Sequence, residues 1–434
     1  MGWISEKILI LKSSEINKRI FNNSFWILIG NIVSKLSLLV STIIMARIMN
    51  KEEYGQFGII KSTILMFAMF AGLELGITAT KYISQYKNLD KQKIERIVGL
   101  SNFFAISISL IIALLIYFNS TIIASQIAAP QLTREIKMSS FILFFSSING
   151  IQSGILNGLE KFRESAINTT VAGLLSSILL IISTFYFSLY EIIIAFGSNF
   201  VFLFILNYYS LKKLFYKDYK IRIFHKDNFK EIKIIWNFSL PAILAGIMVG
   251  PVIWICNNIL VNQVNGFKEM AIFDIANQWR NTVLFIPVAL SQIALPMLTS
   301  SLDDKRNYKL IFKKNIKLNL YISLFIVIIL VIISPVIVWF YGDKYNDAQV
   351  PMIIMFITTG FIAVNNVIGQ LIASQGKMWL GLWVNFIWGI SLLCGNYLLV
   401  MVFNLGAVGI SLAYLFSYLV HTLIQFLLIK NFFK

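Results

Sequence analysis

The chain has 434 residues, of which 58% are hydrophobic and only 13% are charged, and its formal net charge is +17. Soluble domains carry about 25% charged residues. A chain this poor in charge cannot cover its apolar surface with polar groups, so lipid is the solvent it fits and an ordinary soluble enzyme is excluded. The positive charge lies in short segments between apolar runs, which points to membrane topology and not to a nucleic-acid partner.

The N-terminal segment 1–21 has a short apolar stretch between charges and no small-residue cleavage site. It reads as a cytoplasmic amphipathic segment, not a signal peptide. Twelve apolar runs follow, each long enough for the roughly 20 residues a helix needs to cross a bilayer. They cover about 22–48, 57–84, 97–118, 136–157, 166–187, 190–211, 233–262, 269–299, 315–341, 351–372, 379–402 and 406–429. Helices are expected throughout, because lipid offers no partner for an unpaired backbone group. The least marked boundary is Ser188-Leu189-Tyr190-Glu191.

With the N-terminus inside, the inner segments hold 28 of the 37 Lys and Arg residues. The outer loops hold Arg47, Lys51, Arg134, Lys137, Lys268 and Lys344, and Lys35, Lys61 and Arg280 fall within spans. This asymmetry places both termini in the cytoplasm. The basic inner segments also suit anionic phospholipid headgroups or a pyrophosphate.

The longest inner segment, 212–232, divides the chain into an N-lobe of six spans over 22–211 and a C-lobe of six over 233–430. Three short correspondences recur in the same order. Glu53–Ile59 matches Lys268–Ile275, Lys91–Arg96 matches Asp304–Lys309, and Asn157–Lys161 matches Ser374–Lys377. Two parallel six-helix repeats are therefore expected.

A charge at mid-bilayer costs roughly 2.5–3.5 kcal/mol on insertion scales and usually meets a cavity or a partner. Lys35 shares a polar stripe with Asn31, Ser34, Ser41 and Thr42 on an otherwise apolar span. It reads as a cation facing a cavity, or as half of an ion pair joining two helices. Arg280 lies at a similar depth, and Asp274, Asn277, Gln278 and Asn281 form a polar face beside it. Asp274 is about 120° round the helix from Arg280, so the two do not pair within the helix. Arg280 is thus left to present its planar fork of donors to an anion. Lys61 stands near the outer end of the second span, where snorkelling is the alternative to a binding role. Glu74 lines up with Thr78 and Lys81, either as a structural stripe or as a carboxylate for a coupling proton or sodium ion; Asp274 is the second candidate for that role. Most other polar residues in spans, among them Asn149, Gln152, Asn257, Asn365 and Gln370, are expected to join helices.

Pro241, Pro251, Pro287, Pro296 and Pro335 all fall in second-half spans, which suggests that spans seven and eight bend. There is no G-x-x-x-x-G-K-[ST] loop for ATP. Two histidines and two cysteines supply neither a metal cluster nor a disulfide framework, so no cofactor is expected. The short outer loops lack the paired carboxylates of a membrane polymerase, which leaves a transporter and not an enzyme.

Phe25-Trp26-x3-Gly30-Asn31, Ala46-Arg47-Ile48-Met49 and Glu53-Tyr54-Gly55-Gln56-Phe57-Gly58 resemble the opening of Wzx-type O-antigen and capsular polysaccharide flippases, members of the multidrug/oligosaccharidyl-lipid/polysaccharide superfamily. Gly72–Ile77, Lys81-Tyr82-Ile83 and Asn157-Gly158-x2-Lys161 continue the likeness. The resemblance implies an all-α membrane fold with two lobes in a V around a cationic cleft lined by spans 1, 2, 7 and 8. It implies a multi-pass inner-membrane protein that carries undecaprenyl-pyrophosphate-linked oligosaccharide to the outer leaflet by alternating access. Lys35, Arg280, Lys61 and Asn31 would face that substrate. Other membrane proteins of polysaccharide assembly would be partners. Related multidrug antiporters tend to carry an acid on the first span, where this chain has Lys35. A drug antiporter or a lipid II flippase of the same fold is the alternative.

Overall fold

The computed structural model describes residues 15–70, 73–87, 89–234, 236, 248–292, 298, 301, 304–375 and 377–429. Among them there is helix and no strand. Segment 1–14, Pro241 and Pro296 lie outside the described residues. Nine helices are long and apolar enough to cross a membrane among the described residues, and the short helix Val249–Val261 is apolar as well.

The chain divides into two compact units. The first comprises residues 1–42, 67–123 and 132–244, and the second 43–66, 124–131 and 245–434. The lobes expected from the sequence differ from these units chiefly at 43–66 and 124–131, which group with the second-half helices.

In the first unit, α1 (Glu15–Ile48) packs its small residues onto α7 (Phe162–Tyr186). Gly30 lies against Ala166, Ser34 against Gly173, and the Ser41 hydroxyl donates to the Ser177 carbonyl at 3.1 Å. The described residues of the expected second span lie in α2 (Lys51–Phe70) and α3 (Leu73–Tyr86). α4 (Lys91–Phe118) starts behind Asp90, whose side chain accepts from the Lys93 amide. The connection after α4 contains a short α5 (Ser120–Gln126) before α6 (Thr133–Gly158). α3 meets α6 along two small-residue ladders one turn apart. A Cβ on Gly76 would overlap the Gly150 carbonyl oxygen, and one on Gly154 would overlap that of Gly76. Thr80 donates to the Gly154 carbonyl at 3.0 Å and Ser84 to that of Gly158 at 3.1 Å. Small residues let backbones approach where lipid gives no hydrophobic drive for helix association.

The boundary at Ser188 holds. α7 ends at Tyr186, and α8 (Leu189–Leu214) begins with Glu191 accepting from the Ser188 amide at 3.1 Å. Several buried amides do join helices, as expected: Asn168 donates to Asn207 and Ser210, and Asn149 to the Phe200 carbonyl. The basic segment after α8 is folded onto α4. Asn228 donates to the Arg222 and Ile223 carbonyls at 2.6 and 3.1 Å over Gly99, and Arg96 pairs with Glu231 at 3.0 Å.

The second unit contains α9 (Val249–Val261), α10 (Gly266–Val283), α11 (Phe285–Gln292), α12 (Lys305–Tyr341), α13 (Gln349–Ser374), α14 (Met378–Asn396) and α15 (Gly406–Ile429). The expected eighth span is irregular for one residue at Leu284, three residues before Pro287, while Leu284 stays in the right-handed helical region and Val288 still donates to its carbonyl at 3.0 Å. Proline has no N–H to give back to the preceding turn. α14 runs into a π-helical segment, Tyr397–Val402. Glu269 on α10 accepts from the Ala407 amide at 2.7 Å and so caps α15.

Candidate functional site

The first part of α2 belongs to the second unit and is seated between α9 and α10. A Cβ on Gly55 would overlap the Phe267 carbonyl of α10. On the other flank, Trp254 donates to Thr63 at 3.0 Å and Asn257 to Ser62 at 2.7 Å. This seating explains how α2 and α10 tolerate charges that bar them from the strongly apolar spans. Lys61, Asp274 and Arg280, the charges within these helices, face protein, whereas Glu52, Glu53 and Lys268 at their starts are exposed.

Lys61 and Asp274 meet within this seat. The ammonium lies 2.6 Å from Asp274 Oδ2, and the two side chains are 15% and 4% exposed. Gly58, one turn before Lys61, lies against the Asp274 side chain, where an added methyl would make ordinary contact. The Phe57 ring lies 5.6 Å from the Lys61 ammonium. Lys61 is therefore a partnered internal cation, and snorkelling does not describe it. The expectation that Asp274 and Arg280 ignore each other fits this arrangement, since Asp274 has its own cation on another helix.

Arg280 lies two turns further along α10 and is 6% exposed. Its guanidinium carbon is 4.8 Å from the centre of the Tyr414 ring of α15. One terminal nitrogen donates to Asn281 Oδ1 at 3.2 Å. Nε and Nη1 are buried with no hydrogen-bond partner, and no carboxylate pairs with Arg280 among the described residues. Asn277, on the same helix, also has a buried and unsatisfied Oδ1. A buried guanidinium with open donors is costly to maintain.

In the first unit, Lys35 is exposed on α1 and Asn31 is half-buried. The side chain of Glu74, in the first turn of α3, lies outside the described residues. The structure thus brings together Lys61 and Asp274, and sets Arg280 on the same helix as Asp274. Lys35 and Asn31 belong to the other unit.

Two groups were missed by sequence reading. Tyr414, which carries the Arg280 guanidinium on its ring, is fully buried, yet an aromatic residue in an apolar span gives no signal of its own. His421, with Asn365, Thr422 and Gln425, forms a second buried polar network between α13 and α15. Its one legible sign is a histidine inside a span.

A multi-pass, all-helical membrane protein with charged residues sequestered on internal helices has the architecture of a transporter. The family model described as "Polysaccharide biosynthesis protein" matches residues 44–351, and the chain belongs to that family. It is similar to the EPS I polysaccharide export inner membrane protein EpsE of Ralstonia solanacearum, with 24% identity over 209 residues, 46% of this chain and 47% of that protein. The EpsE of Ralstonia nicotianae is likewise 24% identical over 204 residues. The chain spans about half the length of the curated relatives it matches. Among solved structures, a multidrug resistance MATE family transporter of the MOP superfamily aligns with a TM-score of 0.74 at 15% identity, over 94% of this chain and 98% of that one. The lipid II flippase MurJ aligns at 0.74 and 16%, over 93% and 87%. A MOP superfamily transporter from Pyrococcus furiosus aligns at 0.61 and 16%, over 96% and 95%. At such identities the likeness shows the fold. These relatives are export proteins, transporters and a flippase.

Proposed function

We propose that this protein translocates undecaprenyl-pyrophosphate-linked oligosaccharide from the inner to the outer leaflet of the bacterial inner membrane, with both termini in the cytoplasm. The observation that carries the reading is Arg280, a buried guanidinium whose Nε and Nη1 have no partner among the described residues. A phosphate drawn through hydrocarbon needs donors in place of water, and a planar fork of N–H groups matches phosphate oxygens. Membership of a polysaccharide biosynthesis family and likeness to a polysaccharide export protein support a lipid-linked sugar as cargo.

Lys61 is held by Asp274 and contributes less to the anion site while Asp274 is ionised. Protonation of Asp274, or a sodium ion at it, would free Lys61, which makes Asp274 a coupling group in this scheme. Glu74 is the other candidate for that role. Lys35 and Asn31 give the first unit a cation and an amide of its own for the headgroup. The basic inner segments attract the anionic lipid from the cytoplasmic leaflet. Transport proceeds by alternating exposure of the site to the two faces. A drug antiporter is disfavoured by the cation, in place of an acid, at position 35. A lipid II flippase would share the mechanism and differ in cargo.

The test is complementation. Cells lacking their own O-antigen flippase receive wild type, Arg280→Ala, Arg280→Lys or Lys35→Ala, and surface polysaccharide is scored. Arg280→Ala is expected to abolish rescue and Arg280→Lys to restore part of it. Full rescue by Arg280→Ala at normal protein levels would defeat the proposal.

A further inference from the structure

His421 lies inside the spanning helix α15, ~12 Å from its inner end at 1.5 Å per residue. It is 7% exposed. Asn365 on α13 places its Nδ2 3.1 Å from His421 Nδ1. The Thr422 hydroxyl is 2.8 Å from Asn365 Oδ1 and 2.7 Å from the Tyr418 carbonyl oxygen. On the other side of the ring, Gln425 Nε2 lies 3.4 Å from His421 Nε2, while Gln425 Oε1 is buried and unsatisfied. Gln425 is 4% exposed.

These contacts allow two hydrogen-bonding states of the ring. In the first, Thr422 donates to Asn365 Oδ1, which fixes the amide so that its N–H donates to His421 Nδ1. The ring is then the neutral Nε2–H form. Turning the Gln425 amide over lets Oε1 accept from Nε2–H. Amide orientation is decided by such partners. In the second state His421 carries a proton on Nδ1 as well. The Asn365 amide turns over, Oδ1 accepts from Nδ1–H, and Nδ2 donates to the Thr422 oxygen. The single Thr422 proton passes to the Tyr418 carbonyl, already within reach. Both ring nitrogens, Asn365 Oδ1 and the Thr422 hydroxyl keep a partner in either state, and only the Asn365 amide turns between them.

We propose that His421 is a proton-binding site of this transporter, with the Asn365 amide as the element that changes state. A buried histidine serving only to fill space needs one satisfied state. This one has a second, prepared by the shared Thr422 hydroxyl.

The ionisable groups on the packed helices are few. α13 brings none, α14 brings Cys394, the π segment Tyr397, and α9 Cys256. α10 brings Lys268, Glu269, Asp274 and Arg280, of which Asp274 is paired with Lys61. α15 itself brings Tyr414 and Tyr418, the latter with its ring 6.2 Å from that of His421. Arg280, on Tyr414, is thus the cation nearest in this chain of contacts, about two helical turns away. A proton on His421 and an anion on Arg280 favour each other through the field, and the effect is reciprocal. This linkage rests on the proposed anion site; the proton site does not.

The chain contains only two histidines, His225 and His421. With His225→Gln, 15N-histidine labelling of the full-length protein in nanodiscs reports His421 alone. The spectrum is followed between about pH 8 and 4, with and without a short-chain prenyl sulfate monoester whose charge is constant over that range. The expected result is an Nε2–H ring at high pH that takes up a proton on acidification, with a higher midpoint when the ester is present. Asn365→Ala is expected to lower proton affinity at least tenfold, which is a midpoint shift of about one pH unit, and Asn365→Asp to raise it by as much. A ring that stays neutral to the lowest pH with and without the ester, or an Nδ1–H tautomer at high pH, overturns the proton site. A midpoint that the ester does not move, in a ring that does titrate, supports the proton site and overturns the Arg280 anion site instead.

Discussion

The Lys61 ammonium and the Asp274 carboxylate lie 2.6 Å apart, on α2 and α10, almost wholly removed from solvent. They solve a topological problem as well as an electrostatic one. Each charge would be expensive alone inside a span, and together they fasten the first part of α2 to the second-half helices.

Breaking a buried pair from one side leaves an uncompensated charge and costs 3–5 kcal/mol as an order of magnitude, whereas removing both partners is often close to neutral. Lys61→Met and Asp274→Asn should each lower the thermal unfolding midpoint of the purified protein sharply, and the double variant should recover most of the loss. If Asp274 also serves coupling, the double variant regains stability without regaining transport. Equal losses in the three variants would mean that the pair does not hold the helices together.

The Tyr414 ring under Arg280 should matter for its face and not for its hydroxyl. Tyr414→Phe keeps the face, and anion binding should change little. Tyr414→Leu removes a cation–π contact of about 0.5–2 kcal/mol, roughly two- to thirtyfold in affinity. Titration of both variants with a short-chain prenyl pyrophosphate checks this. A larger loss in the Phe variant would show that the hydroxyl is the working part.

Glycines should divide by what surrounds them. Gly76→Ala and Gly154→Ala thrust a methyl into the facing backbone and should force α3 and α6 apart. At Gly360 and Gly369, within α13, an added methyl would meet nothing within 4 Å. Alanine there should be neutral or stabilising by up to about 1 kcal/mol through helix propensity. Folded yield and melting temperature of the four variants distinguish the classes.

The basic segment between α8 and the second-half helices should behave as folded structure. Its anchor is Asn228, 4% exposed and bonded to two carbonyls over Gly99. Asn228→Leu should release it, and trypsin should then cut at Lys217, Lys220, Arg222 and Lys226 much faster than in wild type. Unchanged cleavage would mean that the segment is held by other contacts.

Much of this architecture was legible in the chain because lipid makes few demands and makes them strictly. Length and apolarity gave the spans, and Ser188 with Glu191 marked a helix start that the structure keeps. What was not legible depends on partners distant in sequence. Lys61 near a span end looks the same whether it snorkels or meets Asp274, 213 positions away. The irregularity between α10 and α11 follows from Pro287, whose effect could be foreseen but not its position at Leu284. Arg280 was legible as a charge at depth, whereas Tyr414 and the His421 network were not, since aromatic and amide residues occur in spans for ordinary packing. Residues 43–66 fall within the first six spans by count and are sorted to the second unit by contacts such as Gly55 against Phe267, which no local pattern reports.

The most direct measurement is calorimetric binding of a short-chain prenyl pyrophosphate to the purified protein, wild type against Arg280→Gln. A charge-assisted hydrogen bond contributes about 1.5–3 kcal/mol, so the variant should bind roughly ten- to a hundredfold more weakly while melting at an unchanged or higher temperature, because an unsatisfied buried charge has been removed. Equal affinity in the two proteins would contradict the account, since Arg280 would then not be the group that receives the anion.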